Sequence, residues 1–199
     1  MRLPTVCGYA TYQMGARAST ILVGFALALL TAAPTRGDLL EGRVVRVSDG
    51  DTIVVLDANK QQYKIRLAGI DAPESHQPFG EASRKHLAQL VAGKVVAVNW
   101  AKRDKYGRIV GKVMIAPPDA CPDSRPECPK TLDACLAQIT SGLAWHFKRY
   151  QAEQSEEDRE RYAFGAVEAR AKRAGLWKDP NPVPPWEWRE RARVNRAPR

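Results

Sequence analysis

Apolar and charged residues alternate along Tyr63-Lys-Ile-Arg-Leu-Ala68, the period-two pattern of a strand with one face buried. Leu40 to Ser48 and the β-branched run Thr52-Ile-Val-Val-Leu56 read as two strands joined by the turn Asp49-Gly50-Asp51. Asn59 and Lys60 turn the chain into the third strand. Lys94 to Trp100 and Arg108 to Ile115 supply a fourth and a fifth, on either side of the turn Asp104-Lys-Tyr-Gly107. Between the third and fourth strands, Gly69 to Pro78 reads as a loop interrupted by Pro73 and Pro78. Phe79 to Val91 then has helical spacing, with Leu87, Leu90 and Val91 on one side and Gly93 as its stop. Thr131 is placed to cap a helix over Leu132 to Ser141, which Gly142 ends, and a highly charged third helix runs from about Gln154 to Ala174. Asp179 to Pro185 is proline-rich and predicted extended, Trp186 and Trp188 anchor it, and residues 189–199 form a basic, loose tail. Five strands with one inserted helix predict an α+β fold, a five-stranded OB-type β-barrel with three helices.

The N-terminal region changes the domain picture. Residues 1–37 contain no Asp or Glu, and Arg2 and Arg17 precede an apolar run from Ile21 to Ala33. That run is short for a membrane span and suits the apolar core of a signal peptide. Thr35 and Gly37 offer small residues for cleavage before Asp38; a cut after Ala33 competes, and an uncleaved membrane anchor is the other reading. The expected organisation is a signal peptide over 1–37, a barrel domain over 38–178 with a cysteine-bearing insertion at 116–130, and a tail over 179–199. Export places the protein outside the cell or in the periplasm, without stable membrane association after cleavage, and a monomer is expected.

Composition adds two constraints. An apolar share of 44% excludes a disordered chain. Beyond residue 37 there are 28 basic and 22 acidic side chains, so a net charge of +6 remains of the whole chain's +9. A basic surface favours polyanionic partners, because neutralised phosphates release counterions. Of the four cysteines, Cys7 falls in the signal segment, and Cys121 and Cys128 share a proline-rich loop and are the expected disulfide. Cys135 is expected inside a helix as a small apolar residue, and the cysteine spacings argue against a zinc clamp.

Three short segments carry candidate chemistry: Asp49-Gly-Asp-Thr-Ile53, Arg66-Leu-Ala-Gly-Ile-Asp-Ala-Pro-Glu74 and Asp104-Lys-Tyr-Gly-Arg108. Each alone reads as a hairpin turn or a polar loop. Together, in order, spacing and strand context, they resemble the staphylococcal nuclease family over roughly residues 39–178, and the likeness extends to Gly142-Leu-Ala144 and Ala174-Gly-Leu-Trp177.

The resemblance implies an enzyme that cuts DNA and RNA, mainly internally, leaving 3′-phosphates. Such a reaction needs a cation at the phosphate, a base for the attacking water and fixed positive donors for the transition state. Asp51 and Asp71 are hard oxygen ligands suited to Ca²⁺ or Mg²⁺, and the resemblance implies Ca²⁺, with the backbone carbonyl of Ala72 as a further ligand. By the same resemblance Glu74 reaches the metal through water and serves as general base. Arg66 and Arg108 are the donors to phosphate oxygens, where a guanidinium can grip two at once. Lys105, Tyr106 and Tyr150 are implied at the nucleotide pocket, although Trp145-His-Phe-Lys-Arg-Tyr150 departs from the family's tyrosine-rich pattern. His76, His86 and His146 have no part in that chemistry. The alternative is an OB-fold module that binds nucleic acid without cutting it.

Overall fold

The strand β1 (Asp38–Val47) is ten residues long because it serves two neighbours in turn. Its first half, Asp38 to Arg43, pairs antiparallel with β5 (Val95–Arg103), and its second, Arg43 to Val47, with β2 (Thr52–Leu56). The handover falls at Gly42, where a Cβ would stand 2.5 Å from the Leu56 carbonyl oxygen, and a bulge between Val44 and Arg46 turns the strand further. β3 (Gln62–Leu67) pairs antiparallel with β2 and parallel with β6 (Ile109–Ile115), Arg66 lying opposite Val110, while β5 and β6 pair antiparallel. The order β3-β2-β1-β5-β6 therefore closes on itself as a five-stranded barrel. The computed structural model describes residues 38–117 and 127–196. The expected signal segment lies outside them, as does most of the cysteine-bearing insertion.

Alternation along the strands fills the barrel. Val44, Ile53, Val55, Ile65, Leu67, Val98, Ile109 and Val113 are all buried inside it. Helix α1 (Gly80–Val91) adds Leu87 and Val91 to this core. Helix α2 (Ala134–Thr140) adds Cys135 and Ile139, and α3 (Glu156–Ala171) adds Tyr162. Cys135 is a free buried thiol, as expected. Cys128 is buried and disulfide-bonded, and its expected partner Cys121 lies outside the described residues.

Three sequence expectations are corrected. The helix foreseen over Leu132 to Ser141 begins two residues later, because Leu132 and Asp133 continue the sheet as β7 (Leu132–Asp133) against Ile115 and Met114. Asp133, not Thr131, then caps α2, accepting from the N–H groups of Cys135 (2.8 Å) and Leu136 (3.1 Å) while Tyr162 donates its hydroxyl to the other carboxylate oxygen at 2.8 Å. The loop after β3 holds a two-residue strand, β4 (Ile70–Asp71), paired with β8 (Trp145–His146). The basic stretch expected to be loose is helical as far as it is described: Pro185 opens a fourth helix, α4 (Pro185–Arg196). Proline suits a first helical position because the N–H it lacks would have had no partner there. Pairs Glu187–Arg191 and Glu190–Arg193 lie along this helix.

His146 sits beside Ile70 and is buried, with Nε2 3.2 Å from Gln154 Oε1 and its ring edge-on to Tyr162. Burial holds its pKa below the ordinary value, with the nearby Lys148 charge acting in the same direction against the Gln154 hydrogen bond. A base with a depressed folded pKa is neutral in the native state. Its contribution is intact above the ordinary histidine pKa of about 6.5 and is lost as pH falls through the lower folded value. Urea midpoints should therefore drop as pH is lowered from about 6.5, and His146→Gln should flatten that part of the profile. An unchanged slope in the variant would assign the acid loss to other groups.

Candidate active site

The turn after β1 is built to hold Asp51 still. Asp51 N–H bonds Asp49 Oδ1 at 3.0 Å, and the Asp51 carbonyl accepts from Leu67 N–H at 2.8 Å across the barrel wall. Gly50 lies between them because no side chain fits: a Cβ would stand 1.9 Å from Ser83 Oγ and 2.7 Å from the Ala72 Cβ. The Gly50 carbonyl accepts from Gln138 Nε2 at 2.6 Å. The same amide also donates to Ser83, and Ser83 donates to the Leu143 carbonyl at 2.7 Å. Gln138 is wholly buried and ties the acidic turn to α1 and α2. Burial, with the neighbouring Asp51 charge, raises the Asp49 carboxyl to about 6. Replacing Gln138 by Leu leaves the Gly50 carbonyl without its partner, which costs about 1–3 kcal/mol. Gln138→Leu should lower the unfolding free energy by that amount and loosen the Asp51 turn, read as lost cleavage activity in protein that is still folded. Unchanged stability would remove Gln138 from this role.

The second acidic element is the loop from Gly69 to Gly80. β4 holds Asp71 by pairing it with Trp145. Glu74 begins a tight turn: Gln77 N–H donates to the Glu74 carbonyl at 2.8 Å, and the Gln77 side chain accepts from Glu74 N–H at 3.1 Å. Gly80 closes the loop against the Glu74 backbone, where a Cβ would come within 1.9 Å of its carbonyl oxygen. His76, on this loop, is exposed and lines the open groove beside Glu74.

These elements bring Asp51, Arg66, Asp71 and Glu74 together. Arg66 reaches out from β3 and bridges two carboxylates: Nη2 donates to Asp71 Oδ1 at 2.8 Å, and Nη1 forms an ion pair with Asp51 Oδ2. Asp51 Oδ2 also accepts from the Ala72 N–H at 2.8 Å, and Thr52 donates to Oδ1 at 3.0 Å. Burial opposes the charge on Arg66, yet Asp51 and Asp71 outweigh it and its pKa is raised. For Asp71 the balance goes the other way: burial raises its carboxyl above the ordinary value despite the pull of Arg189 and Arg66.

Arg189 is the member that sequence reading missed. It projects from α4 and donates to Asp71 Oδ2 at 2.7 Å, to Asp71 Oδ1 at 3.2 Å and to Glu74 Oε1 at 2.7 Å. Three carboxylates are thus linked by two guanidiniums, Arg66 between Asp51 and Asp71, Arg189 between Asp71 and Glu74. Exposure is low at Asp51 (9%) and Asp71 (1%) and reaches 41% at Glu74. Buried carboxylates anchor the site and an open one faces solvent. Beside them lies a groove of about 700 Å³ lined by Glu74, Ser75, His76, Trp188 and Arg193.

Among the described residues, no three His, Cys, Asp or Glu side chains are gathered closely enough to ligate one ion. The donor chemistry nevertheless fits a hard cation. Asp71 and Glu74 already share one positive group, and every donor is oxygen.

The other expected site residues have other partners among the described contacts. Arg108 precedes β6, two residues before the Val110 that pairs with Arg66, and its Nε donates to Asp104 Oδ2 at 2.7 Å. Asp104 also shapes the turn, accepting the N–H groups of Tyr106 and Arg108. Tyr106 is 71% exposed, with the Lys105 and Arg108 charges near its ring at 5.1 and 5.5 Å. Tyr150 is 50% exposed, with Lys102 over its ring at 4.9 Å and Phe147 edge-on. Both tyrosines are aromatic surfaces flanked by cations, and neither touches the carboxylates in the described contacts.

Comparison with known proteins shows the family of the chain. The family model described as staphylococcal nuclease homologue matches residues 64–179. The chain is 40% identical over 167 residues to the micrococcal nuclease of Shigella flexneri, across 84% of this chain and 90% of that protein. It is 41% identical over 171 residues to protein ParB of Escherichia coli, across 86% and 91%. It is 40% identical over 152 residues to an E. coli protein named an uncharacterized endonuclease, across 76% and 86%. A closed five-stranded barrel, Asp51, Arg66, Asp71 and Glu74 joined at its side, and a family match over more than half its length together establish that the chain belongs to the staphylococcal nuclease family and is a nuclease.

Proposed function

We propose that the protein hydrolyses phosphodiester bonds in both DNA and RNA with Ca²⁺. The observation that carries this reading is the row of carboxylates, from buried Asp51 and Asp71 to open Glu74, threaded by the Arg66 guanidinium beside a groove. Carboxylates facing a phosphate repel it unless a cation lies between them, so this row suits hydrolysis better than plain binding.

Asp51, Asp71 and the Ala72 carbonyl would hold the ion, with Glu74 reaching it through water. A divalent cation there supplies neutralisation of phosphate charge and acidification of water. Glu74 takes the proton from the attacking water. Its partial exposure gives it access to solvent, and the Gln77 clasp on its backbone fixes its position. Arg66 donates to the non-bridging phosphate oxygens as they gain charge in the transition state. Arg108 is the second donor. Asp104 grips it at Nε, which leaves the two Nη groups as the edge presented to phosphate. Lys105, Tyr106 and Tyr150 offer charge and ring faces to the flanking nucleotides; stacking on a base does not read the 2′ position of its sugar, so it serves DNA and RNA alike. We also read the protein as exported, on the strength of the acid-free, apolar segment before Asp38. A weak calcium site suits compartments where the ion is abundant.

The test is to incubate purified protein with single-stranded DNA and with RNA, first with Ca²⁺ and then with excess chelator. Cleavage of both substrates that stops with chelation supports the reading. Salt-sensitive binding without cleavage would favour the binding module, and cleavage that survives chelation would remove the metal from the account.

A further inference from the structure

Both oxygens of Asp71 are already held by guanidinium groups in this arrangement. Oδ1 accepts from Arg66 and Arg189, and Oδ2 accepts from Arg189. A metal ion that takes Asp71 competes with these two guanidiniums for its oxygens. Arg66 is the poorer candidate to leave. Its side chain is 16% exposed, its backbone is paired on both sides in the barrel, and it also holds Asp51. Arg189 is 46% exposed and stands on a long flexible side chain near the start of α4. It is also the group between Asp71 and Glu74, the span that a shared cation would occupy.

The helix itself is anchored independently of Arg189. Gln77 Nε2 donates to the Val183 carbonyl at 2.6 Å, so the loop that carries Glu74 is bonded to the tail. Trp186 packs on Trp145 and Phe147, each with ring centroids 5.6 Å apart. Trp188 packs with Pro73, Pro78 and Phe79 around a cavity of about 50 Å³. The guanidinium can thus swing away by rotation of its own side chain, into the groove beside Glu74 and His76, while α4 stays docked.

We propose that Arg189 is an internal counter-ion of the metal site. Its guanidinium neutralises Asp71 and Glu74 in the ion-free protein and is displaced when a divalent cation loads, so α4 sets the metal concentration the nuclease requires. The proposal rests on the metal reading given above. Without the competitor the carboxylates bind a cation more tightly; with it, loading must also break three charge-assisted hydrogen bonds.

The experiment is a calorimetric Ca²⁺ titration of the full chain at fixed ionic strength, comparing the natural protein with Arg189→Ala, Arg189→Gln and Arg189→Lys. Binding to the Ala and Gln variants should tighten roughly tenfold or more, a coupling of ordinary size between competing ligands, and the Lys variant should fall between. The thermal midpoint should rise more on adding saturating Ca²⁺ in the Ala and Gln variants than in the natural protein. Equal affinities would overturn the proposal and leave the metal reading intact. Weaker binding in the variants would also overturn it, making Arg189 a support of the site instead of a competitor. No binding to any of the four proteins would overturn both.

Discussion

Arg66→Lys is expected to slow phosphodiester cleavage by roughly a hundred- to a thousandfold, the usual consequence of losing one preorganised donor to a developing oxyanion. The charge survives this substitution, so the loss isolates what the fork provides. Arg66 uses one Nη group for Asp51 and the other for Asp71. An ammonium is a point charge and cannot keep both carboxylates in place while it faces a phosphate. Asp71, with its side chain only 1% exposed, then loses a partner it cannot replace with water. The folded state should weaken by about 1.5–3 kcal/mol, the scale of a hydrogen bond to a charged group. Kinetics should be measured well below the variant's unfolding midpoint, with circular dichroism confirming the fold. A rate within a few-fold of the natural protein would mean that charge alone suffices, and the bidentate account would be wrong.

Glu74→Gln should have the other large effect, a fall in kcat of roughly a hundred- to ten-thousandfold, as for loss of a general base. The amide keeps the shape of the side chain and one oxygen acceptor for Arg189, and 41% exposure means that no buried charge is stranded. Folding stability and substrate affinity should therefore change little, so that KM holds while kcat collapses. A variant with full activity would reject Glu74 as the base. A large rise in KM with kcat unchanged would assign it to substrate binding instead.

The fold was legible where its causes are local. Period-two alternation in Tyr63 to Ala68 and the β-branched run Thr52 to Leu56 located strands that the barrel contains. The Asp51, Arg66, Asp71 and Glu74 cluster was legible because a single hairpin and the following loop carry all four. What was missed depends on long-range pairing. Thr131 and Asp133 are both good caps by type, and pairing of Leu132 with Ile115 decides between them by drawing residues 132–133 into the sheet. Gln138 carries no polar signal that separates it from a surface residue, yet it meets Gly50 across 88 positions. Arg189 meets Asp71 across 118. A local clue to α4 did exist: Pro185 followed by acid–base pairs three and four residues apart is a helix-start pattern. Its target could not be read from it, because nothing near Arg189 in sequence marks the acidic loop as its neighbour. Arg108 shows the converse, since its partner Asp104 is only four residues away but lay hidden within a motif read for phosphate binding.

The proposed chemistry needs one cation held by Asp51 and Asp71 and reached by Glu74 through water. The most direct measurement is equilibrium Ca²⁺ binding to the natural protein, followed alongside cleavage of a labelled oligonucleotide over the same concentrations. One ion bound per chain, with activity rising in step with occupancy, is the predicted result. Full activity at concentrations where no ion is bound would contradict it.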